Sequence, residues 1–358
     1  MQLHSLEMLT YKDNKMTRSK EIVIHHKTNS DLPVIRDGWK GNVTINGRFH
    51  NDSIQEKPPL WDVVKWKLSR NPQREEKKSD TFKLSNCHLG HITKSEDKII
   101  WLGHSSFVII VNGITLITDP VLFDLSSIKR QVPIPCDVNC LRQIDYLLVS
   151  HDHRDHFDKK SVGVIAKNNP TIEALVPLNA SRLFRSDALS SIVKQEAGWY
   201  QEYSIKGDIR IIFLPARHWG RRGLFDFNKT LWGSFLIIVE ETKLFFSGDT
   251  AYDDRMFKDI QSEFGDIDIC MLPIGAYSPG FLMKTSHTTP EEAIEIFNDL
   301  GGKLFIPMHY GTYDLSDEPL GEPIRRLNEY FGTEKHKDKL RKLTIGEEFL
   351  FGKASHRG

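Results

Sequence analysis

From residue 98 onward, short apolar runs alternate with turn residues, a pattern typical of a strand-rich fold. The first group of predicted strands covers residues 99–102, 107–111, 115–118 and 146–149. A second group covers residues 209–214, 237–239 and 243–246. Asn112 and Gly113 predict a tight hairpin between the second and third strands, because both residue types accept the positive φ of such a turn.

Helical spacing occurs between and after these strands. It predicts helices at residues 158–167, 178–184 and 290–297. Thr289 suits the N-cap of the last helix, and Pro290 suits its first position. Strands of two groups interspersed with helices indicate an α/β catalytic domain, which we place at residues 97–352.

Residues 1–96 are polar and poorly periodic, and they predict an N-terminal extension that is partly disordered, mainly at residues 1–20. Residues 60–68 predict a short amphipathic helix with two tryptophans and two lysines. We expect this helix to pack on the catalytic domain, and contact with a lipid interface is the alternative. Residues 75–80 are charged and indicate a solvated linker.

The most informative segment follows the predicted strand at residues 146–149. Three histidines and an aspartate stand there at H-x-H-x-D-H spacing: His151, His153, Asp155 and His156. Imidazole nitrogens and carboxylates are preferred zinc ligands, and a strand end can direct several of them at one point. The segment therefore predicts a metal site, against the alternative of a solvated turn.

Three more residues with metal-binding side chains follow apolar runs: His218, Asp249 and His309. Each one alone is compatible with a hydrogen-bonded loop residue or a helix cap. Together with the His-rich segment they form a set of strand ends that can converge on one rim of a sheet. Seven ligands are too many for one four-coordinate zinc ion, but they suit two ions that share a bridge.

The order of these motifs resembles the metallo-β-lactamase superfamily, and within it the N-acylphosphatidylethanolamine-hydrolysing phospholipase D enzymes. The resemblance covers roughly residues 97–350. The segments that carry it are residues 101–105, 116–120, 150–158, 215–219, 228–234, 245–250, 273–277, 287–293 and 309–312.

The resemblance implies a four-layer αββα sandwich with two Zn²⁺ ions, and iron or manganese as alternative metals. It implies that one ion is held by His151, His153 and His218, the other by Asp155, His156 and His309, and that Asp249 bridges them. A metal-bridging hydroxide would then attack the substrate, so Asp155 and Asp249 are also catalytic candidates. No serine nucleophile motif is present.

Three further residues have expected roles near these ligands. We expect Asp119 to orient a metal-bound imidazole, with a turn cap as the alternative. His104 has the same role or a hydrogen bond within the core. His287 is a catalytic candidate that reaches the phosphoryl group or the leaving oxygen, with a structural role as the alternative.

The resemblance implies a phosphoric diester hydrolase whose substrate is a phospholipid or a small phosphodiester. A lactonase, or another small-molecule phosphodiesterase of the superfamily, is the alternative. The 48 basic and 48 acidic residues give no net charge, which argues against nucleic acid as a partner. Residues 1–100 hold 18 basic and 13 acidic residues, a mild excess that suits peripheral contact with an anionic membrane.

The cysteines and the apolar segments indicate in which cellular compartment the protein is expected. The four cysteines do not have zinc-ribbon spacing; Cys136 and Cys140 can form a small loop disulfide, but we expect free thiols. No run approaches the ~20 apolar residues of a membrane-spanning helix, and residues 1–20 lack a signal-peptide core. We expect a cytoplasmic protein, either soluble or peripheral to the membrane. The sequence does not indicate its oligomeric state.

Overall fold

The structure is a computed structural model that describes residues 23–51, 60–333 and 336–352. The disorder expected for residues 1–20 lies outside the described residues. In chain order, the strands are β1 (Ile24–Lys27), β2 (Asn42–Ile45), β3 (Arg48–Phe49), β4 (Lys98–Gly103), β5 (Ser106–Val111), β6 (Ile114–Thr118), β7 (Tyr146–Leu148), β8 (Glu173–Pro177), β9 (Val193–Ala197), β10 (Gln201–Glu202), β11 (Ile209–Leu214), β12 (Ser234–Val239), β13 (Thr242–Phe246), β14 (Ile269–Pro273), β15 (Leu304–Met308) and β16 (Glu348–Leu350).

Helices connect these strands. The α-helices are α1 (Leu60–Leu68), α2 (Arg74–Ser79), α3 (Lys159–Asn168), α4 (Asp187–Ser190), α5 (Asp254–Phe264), α6 (Gly280–Met283), α7 (Pro290–Asp299) and α8 (Glu322–Phe331). Short 3₁₀ helices cover Val138–Cys140, Ala180–Phe184 and Lys337–Lys339. Within the described ranges, no helix has both the length and the apolar character needed to cross a bilayer.

Two mixed sheets form the body of the protein. One has the strand order β16-β4-β5-β6-β7-β8-β9, and the other has the order β10-β11-β12-β13-β14-β15. The run β6 to β9 is parallel, and so is the run β13 to β15. Since β4 is antiparallel to β5 and β5 to β6, β4 runs in the same direction as β6. By the same argument β11 runs in the direction of β13, so the carboxyl ends of these strands lie at the same edge of each sheet.

The two sheets pack face to face with helices on both outer sides. Phe107 of the first sheet contacts Phe246 of the second, with ring centroids 6.3 Å apart. The outer face of the first sheet packs against Val162 and Ile165 of α3. The outer face of the second sheet packs against helices α5 and α7, as in the contact of Phe245 with Phe257. The predicted four-layer αββα sandwich is confirmed.

Local sequence signals explain several element boundaries. Asn112 and Gly113 both have positive φ, 49° and 74°, and they form the predicted hairpin between β5 and β6. Thr289 accepts a hydrogen bond from the backbone N–H of Glu292, whose side chain bonds back to the Thr289 N–H, so α7 begins with a capping box. The helix predicted at residues 178–184 is instead a 3₁₀ helix at Ala180–Phe184.

The N-terminal region has more structure than its polar sequence indicates. Strands β1 to β3 form a separate three-stranded sheet that sequence analysis missed. This sheet is joined to the body by hydrogen bonds, including Trp199 N–H to Asn42 Oδ1 at 3.0 Å and Phe49 N–H to Asn228 O at 2.7 Å. The division into an extension at 1–96 and a catalytic domain at 97–352 stays a prediction.

Helices α1 and α2 are also held against the body. The indole N–H of Trp66 donates to Asp317 Oδ2 at 3.0 Å, as expected for a helix that packs on the catalytic domain. Residues 75–80 are solvated as predicted, but the prediction of a linker there is wrong, because most of that segment belongs to α2. Asp80, which follows α2, accepts hydrogen bonds from the Gly321 N–H at 2.7 Å and from Arg325 at 3.0 Å.

The expectation of free thiols is wrong for one pair of cysteines. Cys136 and Cys140 form a disulfide that closes a loop of four-residue separation. The 3₁₀ turn at Val138–Cys140 places their Cα atoms 6.4 Å apart, within the range of disulfides. Cys87 and Cys270 are free.

Candidate metal centre

The His-rich loop begins where the buried strand β7 ends. Asp158 terminates the loop by capping α3, and its carboxylate accepts a hydrogen bond from the Ser161 N–H at 2.9 Å. Arg222 crosses the loop and donates to the carbonyls of His153 at 3.1 Å and Phe157 at 2.6 Å. The loop is therefore fixed at both ends and across its middle.

Three further strand ends deliver their side chains to the same place. His218 follows β11, Asp249 follows β13 and His309 follows β15, and all three are buried. Gly248 allows the second sheet to approach the His-rich loop, because a Cβ at this position would lie 2.5 Å from Ser150 Cβ. Gly248 also has a φ of +57°, which an L side chain rarely adopts.

One group of potential ligand atoms is formed by His151, His153, His218 and Asp249. Nδ1 of His153 lies 2.9 Å from Nε2 of His151 and 3.1 Å from Nε2 of His218. The ligand atoms of the group all lie within 4.8 Å of one another. Three imidazoles and one carboxylate are a donor set that zinc, iron and manganese accept.

A second group is formed by His104, Asp155, His156 and His309. Asp155 Oδ2 lies 3.2 Å from His104 Nε2, 3.6 Å from His309 Nε2 and 3.7 Å from His156 Nε2. The structure thus brings the seven ligands predicted from sequence together, with His104 as an additional member of the second group. Their division between two metal ions stays a prediction.

Asp249 lies between the two groups. Its Oδ2 is 4.0 Å from His151 Nε2 and 3.9 Å from His218 Nε2 on one side. On the other side, Oδ2 is 3.2 Å from His156 Nε2 and Oδ1 is 3.2 Å from His309 Nε2. This carboxylate therefore faces imidazoles of both groups.

The hydrogen bonding of these side chains tests whether they fit metal ions. Both carboxylate oxygens of Asp249 are buried without a hydrogen-bond partner, and so is Nε2 of His153, His156 and His309. Buried polar atoms in proteins are normally paired, so a cluster of unpaired donors and acceptors needs an additional partner. Divalent metal ions would satisfy the oxygens of Asp249 and Nε2 of His156 and His309.

Comparison with known proteins agrees with this geometry. Residues 115–310 match the family described as "Beta-lactamase superfamily domain". The chain is 36% identical over 242 residues to N-acyl-phosphatidylethanolamine-hydrolyzing phospholipase D 1 of Caenorhabditis elegans, which covers 64% of this chain and 68% of that protein. The chain belongs to the metallo-β-lactamase superfamily.

Other members extend the comparison. The mitochondrial N-acyl-phosphatidylethanolamine-hydrolyzing phospholipase D of Saccharomyces cerevisiae is 32% identical over 238 residues, 63% of this chain and 50% of the yeast protein. Among solved structures, the metallo hydrolase Igni18 of Ignicoccus hospitalis matches with a TM-score of 0.53 at 17% identity, covering 72% of this chain and 99% of its own. An isothiocyanate hydrolase from Delia radicum gut bacteria matches with a TM-score of 0.57 at 17% identity, covering 71% and 99%. The likeness to solved structures shows the fold, and the chain is a metal-dependent hydrolase of this superfamily.

Hydrogen bonds to groups outside the ligand cluster orient two of the imidazoles in this metallo-β-lactamase site. Nδ1 of His156 donates to Asp119 Oδ2 at 2.7 Å, and Nδ1 of His218 donates to the Ser286 carbonyl at 2.8 Å. In both residues Nε2 is left facing the cluster. Ser286 was missed by sequence analysis, because a backbone carbonyl acceptor carries no residue signal.

Within the second group, His104 contacts Asp155. Its Nε2 lies 3.2 Å from Asp155 Oδ2, and its backbone is bonded to the His309 N–H and to Thr312 Oγ1. Burial lowers the pKa of His104 to about 3, with a further contribution from His309. A neutral His104 that donates to Asp155 braces that carboxylate.

The protonation states of His151, His218 and Asp249 suit metal ligands, whereas His156 and His309 would have to lose a proton to bind a metal. Burial opposes protonation of these two imidazoles, but Asp249 and Asp155 raise the pKa of His156 well above its usual value and the pKa of His309 to about 9. Burial lowers the pKa of His151 and His218 well below the usual value, which keeps these imidazoles neutral. Burial opposes ionisation of Asp249, but the neighbouring His156 and His309 hold its pKa well below the usual range. Neutral imidazoles and ionised carboxylates are the forms that bind metals.

His287 lies at the rim of the site. Its Nδ1 is 3.8 Å from Asp249 Oδ2 and has no hydrogen-bond partner. Burial lowers the pKa of His287 to about 4, an effect that Asp249 opposes and His309 reinforces.

Proposed function

We propose that this protein is a dinuclear zinc phosphodiesterase of the phospholipase D type that acts on N-acylphosphatidylethanolamine-like phospholipids. Two observations support the proposal in outline: the two ligand groups joined by Asp249, and relatives named for this activity at 36% and 32% identity. The main support for the proposal is an apolar pocket beside the metal centre.

An apolar pocket opens beside the metal centre. It has a volume of about 240 Å³ and is lined by α1, the loop after His218, helix α6 and His287. Its side-chain walls include Val63, Trp66, Trp219, Phe227, Leu282 and Met283. Since His287 also faces Asp249, the pocket joins an apolar wall to the reacting centre, which suits a substrate with a hydrocarbon chain next to a hydrolysable bond.

In this proposal, different residues bind the metal ions, contact the substrate and orient the metal ligands. His151, His153 and His218 would hold one zinc ion, Asp155, His156 and His309 would hold the other, and Asp249 would be shared between them. Zinc ions held there would lower the pKa of a bound water and offset negative charge on the phosphoryl oxygens. His287 is placed to hydrogen-bond the phosphoryl group or the leaving oxygen, while Asp119 and His104 keep the ligands oriented.

The reaction adds water across the phosphodiester bond. The phosphorus–oxygen bond to the headgroup breaks, which yields phosphatidic acid and an N-acylethanolamine. The metal-stripped protein should release neither product from vesicles that contain N-acylphosphatidylethanolamine, and the zinc-loaded protein should release both in equal amounts.

Mass spectrometry of products from such vesicles tests the proposal, with a panel of lactones offered in parallel. Asp249→Ala, which removes the shared carboxylate, serves as the inactive control. Turnover of a lactone, with no phosphatidic acid above the metal-stripped control, would favour the lactonase alternative and leave the metal site intact.

A further inference from the structure

The loop between β14 and α7 packs against the backbone of the ligand His309. A Cβ at Gly275 in this loop would lie 2.3 Å from the His309 carbonyl oxygen, so the two chains are in direct contact. Ala276 has a φ of +65°, and His309 has a φ of +60°. Both residues thus occupy a left-handed conformation that L side chains rarely adopt, and such strain persists only where the surrounding structure enforces it.

One buried carboxylate holds this loop. Glu318 is 5% exposed, and its Oε1 accepts the Ala276 N–H at 2.6 Å while its Oε2 accepts the Ser278 N–H at 3.1 Å. The Asp317 N–H adds a bond in the opposite direction, to the Ser278 carbonyl at 3.0 Å. Hydrogen bonds to a carboxylate are stronger than those between neutral groups. Glu318 therefore fixes Ala276 in a conformation that alanine rarely adopts.

The same loop reaches a second ligand further along the chain. After Ser278 the chain forms the short helix α6, which leads to Ser286. The Ser286 carbonyl lies 2.8 Å from Nδ1 of His218 and orients that ring. Since His218 and His309 belong to different ligand groups, this one loop contacts a ligand of each group.

We propose that Glu318 is a positioning residue of the metal centre. By holding Ala276 in its left-handed conformation, it keeps the loop packed against the His309 backbone and keeps the Ser286 carbonyl in place for His218. Groups behind the ligands determine how the ligands are oriented and how tightly a metal is held. The inference rests on the metal ions of the proposed function, but not on which substrate they act upon.

Zinc affinity of the full chain, measured by competition with a chromophoric chelator, tests this role. Glu318→Gln keeps the size of the side chain but replaces one accepting oxygen by an N–H donor that faces a backbone N–H. It should weaken zinc binding about tenfold. The absorption bands of the Co²⁺-loaded chain should change as well, because they report the geometry of the ligands. Neither measurement requires a substrate.

A rescue variant tests whether the conformation of Ala276 is the link. Glycine adopts a positive φ without steric cost, so Ala276→Gly reduces the need for the carboxylate. Glu318→Gln combined with Ala276→Gly should therefore bind zinc severalfold more tightly than Glu318→Gln alone. Glu318→Asp, which keeps the charge but shortens the reach, is a milder second variant and should lie between Glu318→Gln and the unchanged chain.

Asp80→Asn is the control for a loss of stability alone. The Asp80 carboxylate bonds to Gly321, Phe82 and Arg325, which lie outside the loop between β14 and α7. Near pH 7 this variant should lower Tm and retain zinc affinity. Glu318→Gln should instead lose zinc affinity even at temperatures far below its own Tm, and thermal melting verifies that each variant is folded.

Unchanged zinc affinity and an unchanged Co²⁺ spectrum in both Glu318 variants would overturn the positioning role. Equal loss of affinity in Asp80→Asn would do the same, because the effect would then follow stability alone. Failure of Ala276→Gly to restore affinity would show that Glu318 does not act through this residue. Zinc affinities that meet these expectations without phosphatidic acid release would contradict only the phospholipase activity in the proposed function.

Discussion

The carboxylate of Asp119 accepts a hydrogen bond from Nδ1 of His156 at 2.7 Å, and both side chains are fully buried. Asp119 also accepts from the backbone N–H of Ser150 at 2.7 Å. One carboxylate at the end of β6 therefore fixes both the start of the His-rich loop and the ring orientation of a ligand within it.

The first prediction concerns this contact. Asp119→Ala should weaken zinc affinity by about 10–100-fold, because the imidazole of His156 loses the partner that orients it and increases its basicity. Competition with a chromophoric chelator measures the change. Asp187→Ala, at an exposed aspartate in α4, is the control and should leave zinc affinity unchanged. If Asp119→Ala also left zinc affinity unchanged, Asp119 would only cap the turn and would not orient His156.

The second prediction concerns metal stoichiometry. Protein purified without chelators should contain close to two zinc ions per chain, because the ligands form two groups around Asp249. Asp249→Ala should lose both ions, since it removes a ligand of each, whereas His309→Ala should retain the ion held by the other group. Elemental analysis measures both; retention of two ions in Asp249→Ala would contradict the bridging role.

The third prediction separates catalysis from metal binding at His287. This residue lies near Asp249 and His309, in a geometry that also permits a ligand role. If His287 contacts the substrate, His287→Gln should keep the metal content and lower kcat by about 10²–10⁴-fold. Elemental analysis and steady-state kinetics on the same sample distinguish the two roles. Loss of one metal ion in His287→Gln would show that His287 is a metal ligand.

Local signals in the sequence were sufficient to predict several strands and the convergence of the ligands, whereas the four-layer sandwich was predicted from the family resemblance. Apolar runs mark the strands, and each ligand directly follows one. When strands run in the same direction, their carboxyl ends share an edge, so His218, Asp249 and His309 meet the His-rich loop.

The parts that the sequence did not predict depend on contacts between distant segments. Strand β2 is four residues long and only half of its residues are buried, so its pairing with β1 and β3 has little periodicity to reveal it. The carbonyl contacts of Arg222 span 65 or more residues of sequence, and nothing around Arg222 marks it as a loop anchor.

The pairing of Arg182 with Asp152 is a further contact of this kind and gives the fourth prediction. Asp152 is fully buried between two ligands, and its Oδ2 accepts from Arg182 Nη2 at 2.6 Å. Arg182 also donates to Thr230 at 2.7 Å, so it ties the His-rich loop to the loop after His218.

Arg182→Met should lower the free energy of unfolding by about 3–5 kcal/mol, because it leaves a buried carboxylate unpaired. Urea unfolding measures the loss. Combining it with Asp152→Asn should recover part of the stability, and additive effects in this double-mutant cycle would show that the pair is not coupled.

The fifth prediction uses the pH dependence of the contact between α2 and α8. Burial opposes ionisation of Asp80, but the N–H groups of Gly321 and Phe82 and the guanidinium of Arg325 lower its pKa. A group whose pKa is lower in the folded state stabilises the fold above its unfolded pKa of roughly 3.9. That contribution is lost as the pH falls through the folded pKa.

Asp80→Asn should therefore reduce Tm near pH 7, and the difference from the unchanged chain should shrink as the pH falls below the pKa of Asp80. Glu96→Gln changes an exposed carboxylate outside this contact. Its Tm should differ less from that of the unchanged chain, both near pH 7 and below the pKa of Asp80. Because Asp80 joins the segment before β4 to the first turn of α8, the same melts report how firmly the N-terminal region is attached. A Tm difference that stays constant down to low pH would show that Asp80 acts through packing and not through its charge.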